Sequence, residues 1–448
     1  MITEWREQKL ARRKSTTMST DYPAPRYRVI DRSRVSNVSL DEQLPADHPV
    51  RILWDFVCQL DLSGFERPVK AVHGHPGAAI IPSQLLFALW LTATIEGVRS
   101  AHQLAQLCQR DLPYQWLCGG VPVNYHTLAD FYADNGRALQ QVFVEHIAAL
   151  RQQGLIDLSC VTLDGRKIPA NASKESFHRE GTLQRHLDEA EEQLRQLQAQ
   201  RERGPALTAQ QQAARQRAAR ERQQRLQQAV EQVQQRQRQR QAAKRSDRKP
   251  EEARASETDP EATKMKMADG GYRPAYNVQT VTAEASGLIV TVAVLAQGSD
   301  NGLLRPMLEQ VQQQQQVLPA EVLVDSGFAD QDDIEQLEKQ KVKVLMPPRD
   351  AAKDRKAGRD PYARKKRDSA TVAAWRARMG TPAAQQRYRR RAPVAEGVHA
   401  QQSNRGWRRF RLRGLAKGNA EAWWQALAHN VVRLLAAGVV LAGTMRAA

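Results

Sequence analysis

Cysteine is scarce in this chain. Four residues in 448 are Cys58, Cys108, Cys118 and Cys160, and none forms a CxxC pair. That argues against a zinc ribbon or a disulfide framework and fits a reducing, cytoplasmic setting. No uninterrupted apolar run is long enough for a bilayer. The most apolar stretch, "VVRLLAAGVVLAGTM", is broken by Arg433 and is expected to be a core-facing terminal helix rather than a membrane span. No apolar segment follows the charged start, so no secretory signal is expected. Hydrophobic residues make up 41% of the chain, below the usual globular share, so part of it is expected to lie outside a packed core. Acids are also in deficit: 67 Lys and Arg face 49 Asp and Glu, for a formal charge of +18. A basic surface gains affinity for a polyanion by releasing counterions, and arginine suits phosphate because its fork binds two oxygens. An arginine-rich coding bias would produce the same excess, so composition alone leaves both explanations open.

What is present divides into segments. Residues 1–26 are polar and basic without a period and are expected to be flexible. Residues 27–154 carry helical spacing. "IPSQLLFALWLTATIEG" has Pro82 near a helix start and Gly97 at its end, and Leu128, Phe131, Leu139, Val142, Phe143, Ile147 and Leu150 recur at helical intervals. An all-α domain follows, either a DNA-reading module or a bundle supporting its neighbour. Residues 178–261 are rich in Gln, Arg, Ala and Glu. Leu183, Leu187, Ala190, Leu194 and Leu197 fall on a heptad seam, Gly204 and Pro205 break it, and Leu226, Val230 and Val233 resume it. An antiparallel helical hairpin is the simplest structure for that pattern; a solvated linker is the alternative. "KRSDRKPEEARASETDPEAT" reads as a disordered return.

Residues 155–177 and 262–448 read as α/β. "LIDLSCVTLD", "YRPAYNVQTVTA" and "GLIVTVAVLA" are strands joined as an antiparallel meander. "EVLVD" and "VKVLMPP" are strands each preceded by a helix, hence parallel crossovers. The expected fold is a mixed five-stranded sheet with helices on both faces, interrupted after its first strand by the helical hairpin. In it the first and fourth strands are neighbours, and each ends in an acid followed closely by glycine: Asp164 in "CVTLDGRKI" and Asp325 in "EVLVDSGFAD". Each acid alone is accounted for by turn capping. Two carboxylates at one sheet edge repel unless a cation neutralises them, and oxygen ligands select Mg²⁺ or Mn²⁺. A third acid is expected from a neighbouring helix; two ions among three carboxylates would then serve in-line displacement at a phosphodiester.

The segment order resembles the DDE transposases of bacterial insertion sequences, which carry a ribonuclease H-like core. "SLDEQLPADHPVRILWDFVCQLDLSGF" and "GVRSAHQLAQLCQRDLPYQWLCGG" resemble the helical N-terminal domain of one such group. "LDGRKIPANASK" and "VLVDSGFAD" resemble its first- and second-acid motifs, and "YRRRAPVAEGV...GWRRFRLRGLAKGNAEAWWQALAHNVVRLL" its closing helix. The resemblance implies Asp164, Asp325 and Glu396 as a triad holding two divalent ions, and Tyr388 and Arg391 as a Tyr-x-x-Arg element before the glutamate. Glu396 is selected by the resemblance alone. It further implies cleavage at terminal inverted repeats, strand transfer into target double-stranded DNA, a homodimer in the synaptic complex, and work at the nucleoid. The family's aromatic after the glutamate and its lysine two turns on are missing: "EGVHAQQSNR" has His399, Gln402 and Ser403 there, and Arg405 is the nearest cation. Arg408, Arg409 and Trp407 in "RGWRRFRLR" are candidates for phosphate grip and base stacking; a core position is the other reading for Trp407. The altered segment leaves open a protein that binds DNA without cutting it, and the Gln/Arg-rich segment leaves open a structural, self-associating role.

Overall fold

The computed structural model describes residues 27–32, 35–36, 38–66, 80–202, 208–242 and 249–439. The segment 1–26, the Gly204–Pro205 break and the last nine residues lie outside these. Apart from a short antiparallel pair, Val35–Ser36 with Val38–Ser39, the strands are β1 (Cys160–Pro169), β2 (Phe177–His178), β3 (Ala255–Ser256), β4 (Thr263–Lys266), β5 (Tyr272–Ala283), β6 (Ile289–Leu295), β7 (Glu321–Leu323) and β8 (Lys343–Leu345). The central sheet runs β8-β7-β1-β5-β4, with β6 also paired to β5. β1 and β7 are parallel with Cys160 opposite Glu321 and Thr162 opposite Leu323, and β7 and β8 are parallel. β1–β5 and β5–β6 are antiparallel. The expected five strands thus occur in their expected order, and β4 is a sixth. Its four residues, "TKMK", bury Met265 and expose the flanking lysines, a pattern too short to stand out in the sequence.

Eight helices position this sheet and its site. They are α1 (Ser83–Ile95), α2 (Gly136–Gln152), α3 (Glu180–Glu202), α4 (Ala209–Ala242), α5 (Leu304–Gln315), α6 (Gln331–Lys339), α7 (Arg391–Asn404) and α8 (Leu415–Ala436). α1 is apolar all round and buried from Leu85 to Thr94, as a helix without a polar face must be. It meets α8 where Phe87 packs on Trp424, ring centroids 4.8 Å apart. Phe143 of α2 packs on Trp423 at 5.0 Å. The N-terminal helices, α8 and the sheet therefore share one continuous apolar core. α8 also serves the edge of β6. Asn430 accepts from Ile289 N–H at 2.7 Å and donates to its carbonyl at 2.8 Å, and Asn419 accepts from Val294 N–H at 2.9 Å. Side-chain amides thus replace the missing neighbour strand.

α3 and α4 form an antiparallel pair. Gln234 and Gln237 of α4 donate to Glu180 at the start of α3, while Arg222 reaches Gln193 further along. Leu183, Leu187 and Ala190 face Leu226, Ala229, Val230 and Val233. Leu194 and Leu197 are only half-buried, so the seam is tight near the sheet and looser toward the tip. The expected disordered return requires correction over its described part. Ala253 and Ala255 are fully buried against the helical pair, β3 pairs with β2, and buried Asp259 accepts from Tyr276 Oη at 2.6 Å. Alanines dispersed among charges carry no readable period, yet they fill the wedge between the two helices.

Candidate active site

Alternation along β1 buries Val161 and Leu163 on one face and sends Thr162, Asp164 and Arg166 to the other. β7 ends at Leu323, and Asp325 follows as the cap of a short 3₁₀ turn, accepting from Gly327 N–H at 2.7 Å. The parallel pairing of β1 and β7 brings both acids to one edge. One nitrogen measures their closeness: Arg391 Nη2 lies 2.8 Å from Asp164 Oδ1 and 3.5 Å from Asp325 Oδ2. His399 Nε2 lies 3.1 Å from Asp164 Oδ2. Both partners come from α7, which Arg166 fastens to β1 by donating to His399 O and Ser403 Oγ, each at 2.8 Å, and to Trp407 O at 2.6 Å.

The two carboxyls are driven apart electrostatically. Burial works against ionisation of Asp164, but the His399 hydrogen bond and the Arg391 charge outweigh it and hold the group below its ordinary value. Asp325 is pushed up, first by burial and further by the negative charges of Asp164 and Asp300, against the Gly327 N–H and Arg391. Tyr388 is also pushed up, by burial and by the negative charges of Asp325 and Asp164. Two carboxylates within reach of one guanidinium nitrogen make an oxygen-rich locus for positive charge. Arg391 stands there as the cation, so the donor set fits a hard divalent ion.

Asp300, in the loop after β6, was missed in the sequence. Its Oδ1 accepts from Asn277 Nδ2 and Gln279 Nε2, both at 2.7 Å. Those amides sit fully buried on central strand β5, where an unpaired amide would be costly. A Cβ on Gly165 would come within 2.4 Å of Asp300 Oδ1 and 2.5 Å of Gln279 Nε2. Glycine there admits Asp300 to the side of β1 opposite Asp164. The usable signal was polar: Asn and Gln two apart within an otherwise apolar central strand.

The remaining sequence candidates are dispersed. Glu396 is exposed on α7, and no hydrogen bond or ion pair among the described residues involves it. Arg405 is half-buried, with Nη2 3.4 Å from His429 Nδ1 on α8, away from the aspartates' contacts. Arg408 and Arg409 are exposed, with Arg409 Nε donating to Ala170 O. Trp407 corrects the stacking expectation. It has no exposed surface, packs edge-on against Phe410 and donates Nε1–H to buried Glu421, so the core reading holds. In "QQRYRRR", Arg387 pairs with Glu284 and Glu321 and Arg390 with Glu284, which leaves Arg389 exposed. Among the described residues no helix is long and apolar enough to cross a membrane.

Two family models match the chain. The Transposase DDE domain covers residues 251–431, from just before β3 into α8, with Asp325 and Glu396. The Transposase domain (DUF772) covers residues 38–134, the N-terminal helices. Asp164 lies outside both stretches. No curated protein and no solved structure matches.

Proposed function

The chain belongs to the DDE transposases of insertion sequences, and from that premise we propose that it cleaves DNA at the ends of its element and joins them to target DNA. The observation carrying this reading is the convergence of Asp164 and Asp325 on a single cationic nitrogen. Both would hold divalent metal, Mg²⁺ or Mn²⁺, with Glu396 as the third ligand of the family pattern. When bound, such ions supply positive charge against the charge that develops during in-line displacement at phosphorus. The chain's own residues do the rest. Arg391 and His399 keep Asp164 ionised and oriented, and Arg166 fixes α7 against β1. The exposed Arg389, Arg408 and Arg409 grip phosphates without reading bases. Residues 27–154 form the DNA-binding part, residues 155–177 with 262–448 a ribonuclease H-like catalytic domain, and residues 178–261 its inserted hairpin. Two copies pair the two element ends.

A second reading is a transposase-derived protein that binds DNA without cutting it. It is favoured by the exposure of Glu396 and by Ser403 where the resemblance calls for lysine. The experiment uses DNA carrying the sequences that flank the gene, with Mg²⁺. Cleavage by wild type, reduced at least about 100-fold in Asp325→Asn, is the expected result, since losing a ligand to the reacting charge removes several kcal/mol of transition-state stabilisation. Equal rates in both proteins would defeat the mechanism, and DNA binding by a wild type that never nicks would select the second reading.

A further inference from the structure

The α3–α4 hairpin leaves the sheet through a narrow waist, where β2 pairs with β3, Phe177 opposite Ser256 and His178 opposite Ala255. Three metal-ligating side chains meet at this waist: His178 on β2, His186 in the second turn of α3, and Glu257 directly after β3. His186 Nδ1 lies 2.9 Å from Glu257 Oε2 and His178 Nε2 lies 4.0 Å from the same oxygen. The imidazole rings stand edge to face with centroids 5.3 Å apart. One ligand atom from each residue falls within 4.8 Å of the others, and the side chains are 28%, 21% and 33% exposed in chain order, open enough for an ion to enter and keep a water.

The backbone around them is fixed independently of the three side chains. Glu257 N–H donates to Ser176 O at 2.9 Å. The buried hydroxyls of Ser176 and Ser256 are 2.8 Å apart, and Ser256 Oγ also accepts from Thr258 and Asp259 N–H. The ligands therefore project from a held frame rather than from mobile loops. Arg185 Nη2 sits 3.3 Å from His186 Nε2 and its Nη1 pairs with Glu189. An ion at Nδ1 would leave the proton on Nε2 and turn this exposed guanidinium wholly to Glu189.

Two imidazoles and one carboxylate are a borderline donor set that suits Zn²⁺ or a similar transition ion, not Mg²⁺. Ion–ligand distances of about 2.0–2.2 Å put ligand atoms roughly 3.3–3.5 Å apart in a tetrahedron, so closing the site takes side-chain adjustments within ordinary rotamer freedom. We propose that His178, His186 and Glu257 form a zinc-class metal site that clips the first helix of the hairpin to the strand pair at its root. This site is chemically and positionally separate from the Asp164–Asp325 pair, and it stands whether or not the protein cuts DNA.

The test uses the full-length chain, stripped of metal and titrated with Zn²⁺ against a chromogenic chelator, and with Co²⁺ read by visible absorption. Wild type and an Asp164→Asn/Asp325→Asn double variant should each bind one equivalent with equal affinity, the Co²⁺ form showing intense tetrahedral bands. His178→Gln and His186→Gln should each weaken binding at least tenfold, and zinc should raise the melting temperature of wild type but not of His186→Gln. Absence of zinc binding by wild type, or binding unchanged in both histidine variants, would overturn the proposal. If a variant fails to fold without metal, X-ray absorption of the zinc-loaded wild type decides. A shell containing two imidazole nitrogens supports the site, and an all-oxygen shell refutes it.

Discussion

At the residue scale, Asp164 and Asp325 share a cation but respond to it in opposite ways. Asp164 is held below its ordinary value, so the stability it contributes is present above the unfolded value and lost as pH falls through the folded one. Asp325 is raised, so its contribution is present at low pH and lost as pH rises through its folded value. In divalent-free buffer near neutrality, Asp164→Asn should therefore cost about 1–3 kcal/mol of stability for a lost charged hydrogen-bond network and lower the melting temperature. Asp325→Asn should leave it unchanged or raise it. The Asp325 difference should shrink as pH falls through its raised folded value, and the Asp164 difference only below the ordinary carboxyl value of about 3.9; equal losses in the two variants at neutrality would contradict the assignment. Gly165 makes a second test. Its alanine variant drives a Cβ into Asp300 and Gln279, and a clash of that kind costs about 1–3 kcal/mol. Chemical denaturation measures it, and an unperturbed midpoint would show that Asp300 is free to move. The two aspartates were legible because a β-branched run leads into each acid and glycine follows, but the expected strand end holds only for Asp325: β1 runs on through Asp164 and Gly165 to Pro169, still paired to β5. Asp300 was not legible, because "QGSDN" resembles any loop and its meaning comes from amides on another strand. Arg391 was singled out only by the resemblance, as the arginine of a Tyr-x-x-Arg element; its pairing with both aspartates depends on how α7 lies across β1.

At the element scale, the order of strands and crossovers was readable because β-branched runs, turn residues and helical spacing alternate cleanly from Cys160 to Leu345. The root of the hairpin was not. β2 and β3 are two residues each, below any period, and the alanines that fill the wedge beside them sit among charges. α8 shows an element whose apolar face was legible while its polar role was hidden. Asn430 in "ALAHNVVRLL" is fully buried and satisfies both backbone groups of Ile289. Asn430→Ala leaves a buried donor and acceptor of β6 unpaired, and each such group costs about 1–3 kcal/mol. The expected outcome is a destabilised protein whose Ile289 amide exchanges hydrogen faster than its neighbours on β5. Unchanged exchange at Ile289 would show that β6 does not depend on the helix for its outer edge.

At the scale of the whole molecule, the sequence divides the chain by composition, whereas the core joins what composition separates. Trp423 and Trp424 read as core in the sequence, but nothing in their spacing says which helices they meet. In the fold Trp424 contacts Phe87 at 4.8 Å and stacks on Tyr132 at 5.7 Å, binding the last helix to residues some 300 positions earlier. Buried Glu421 strengthens the same seam. It pairs with Arg99 and accepts from Trp407 Nε1 and from the Arg411 and Leu412 N–H groups. An interface this continuous predicts that the N-terminal helices and the sheet unfold together, because neither retains a closed core without α8. Trp424→Ala removes a fully buried indole from the junction and should cost about 3–5 kcal/mol. Calorimetry should show wild type melting in one transition that covers both parts, with the variant's transition moved down as a whole. Two separated transitions in wild type, or a variant in which only the N-terminal helices melt early, would mean that the seam holds two independently stable bodies side by side.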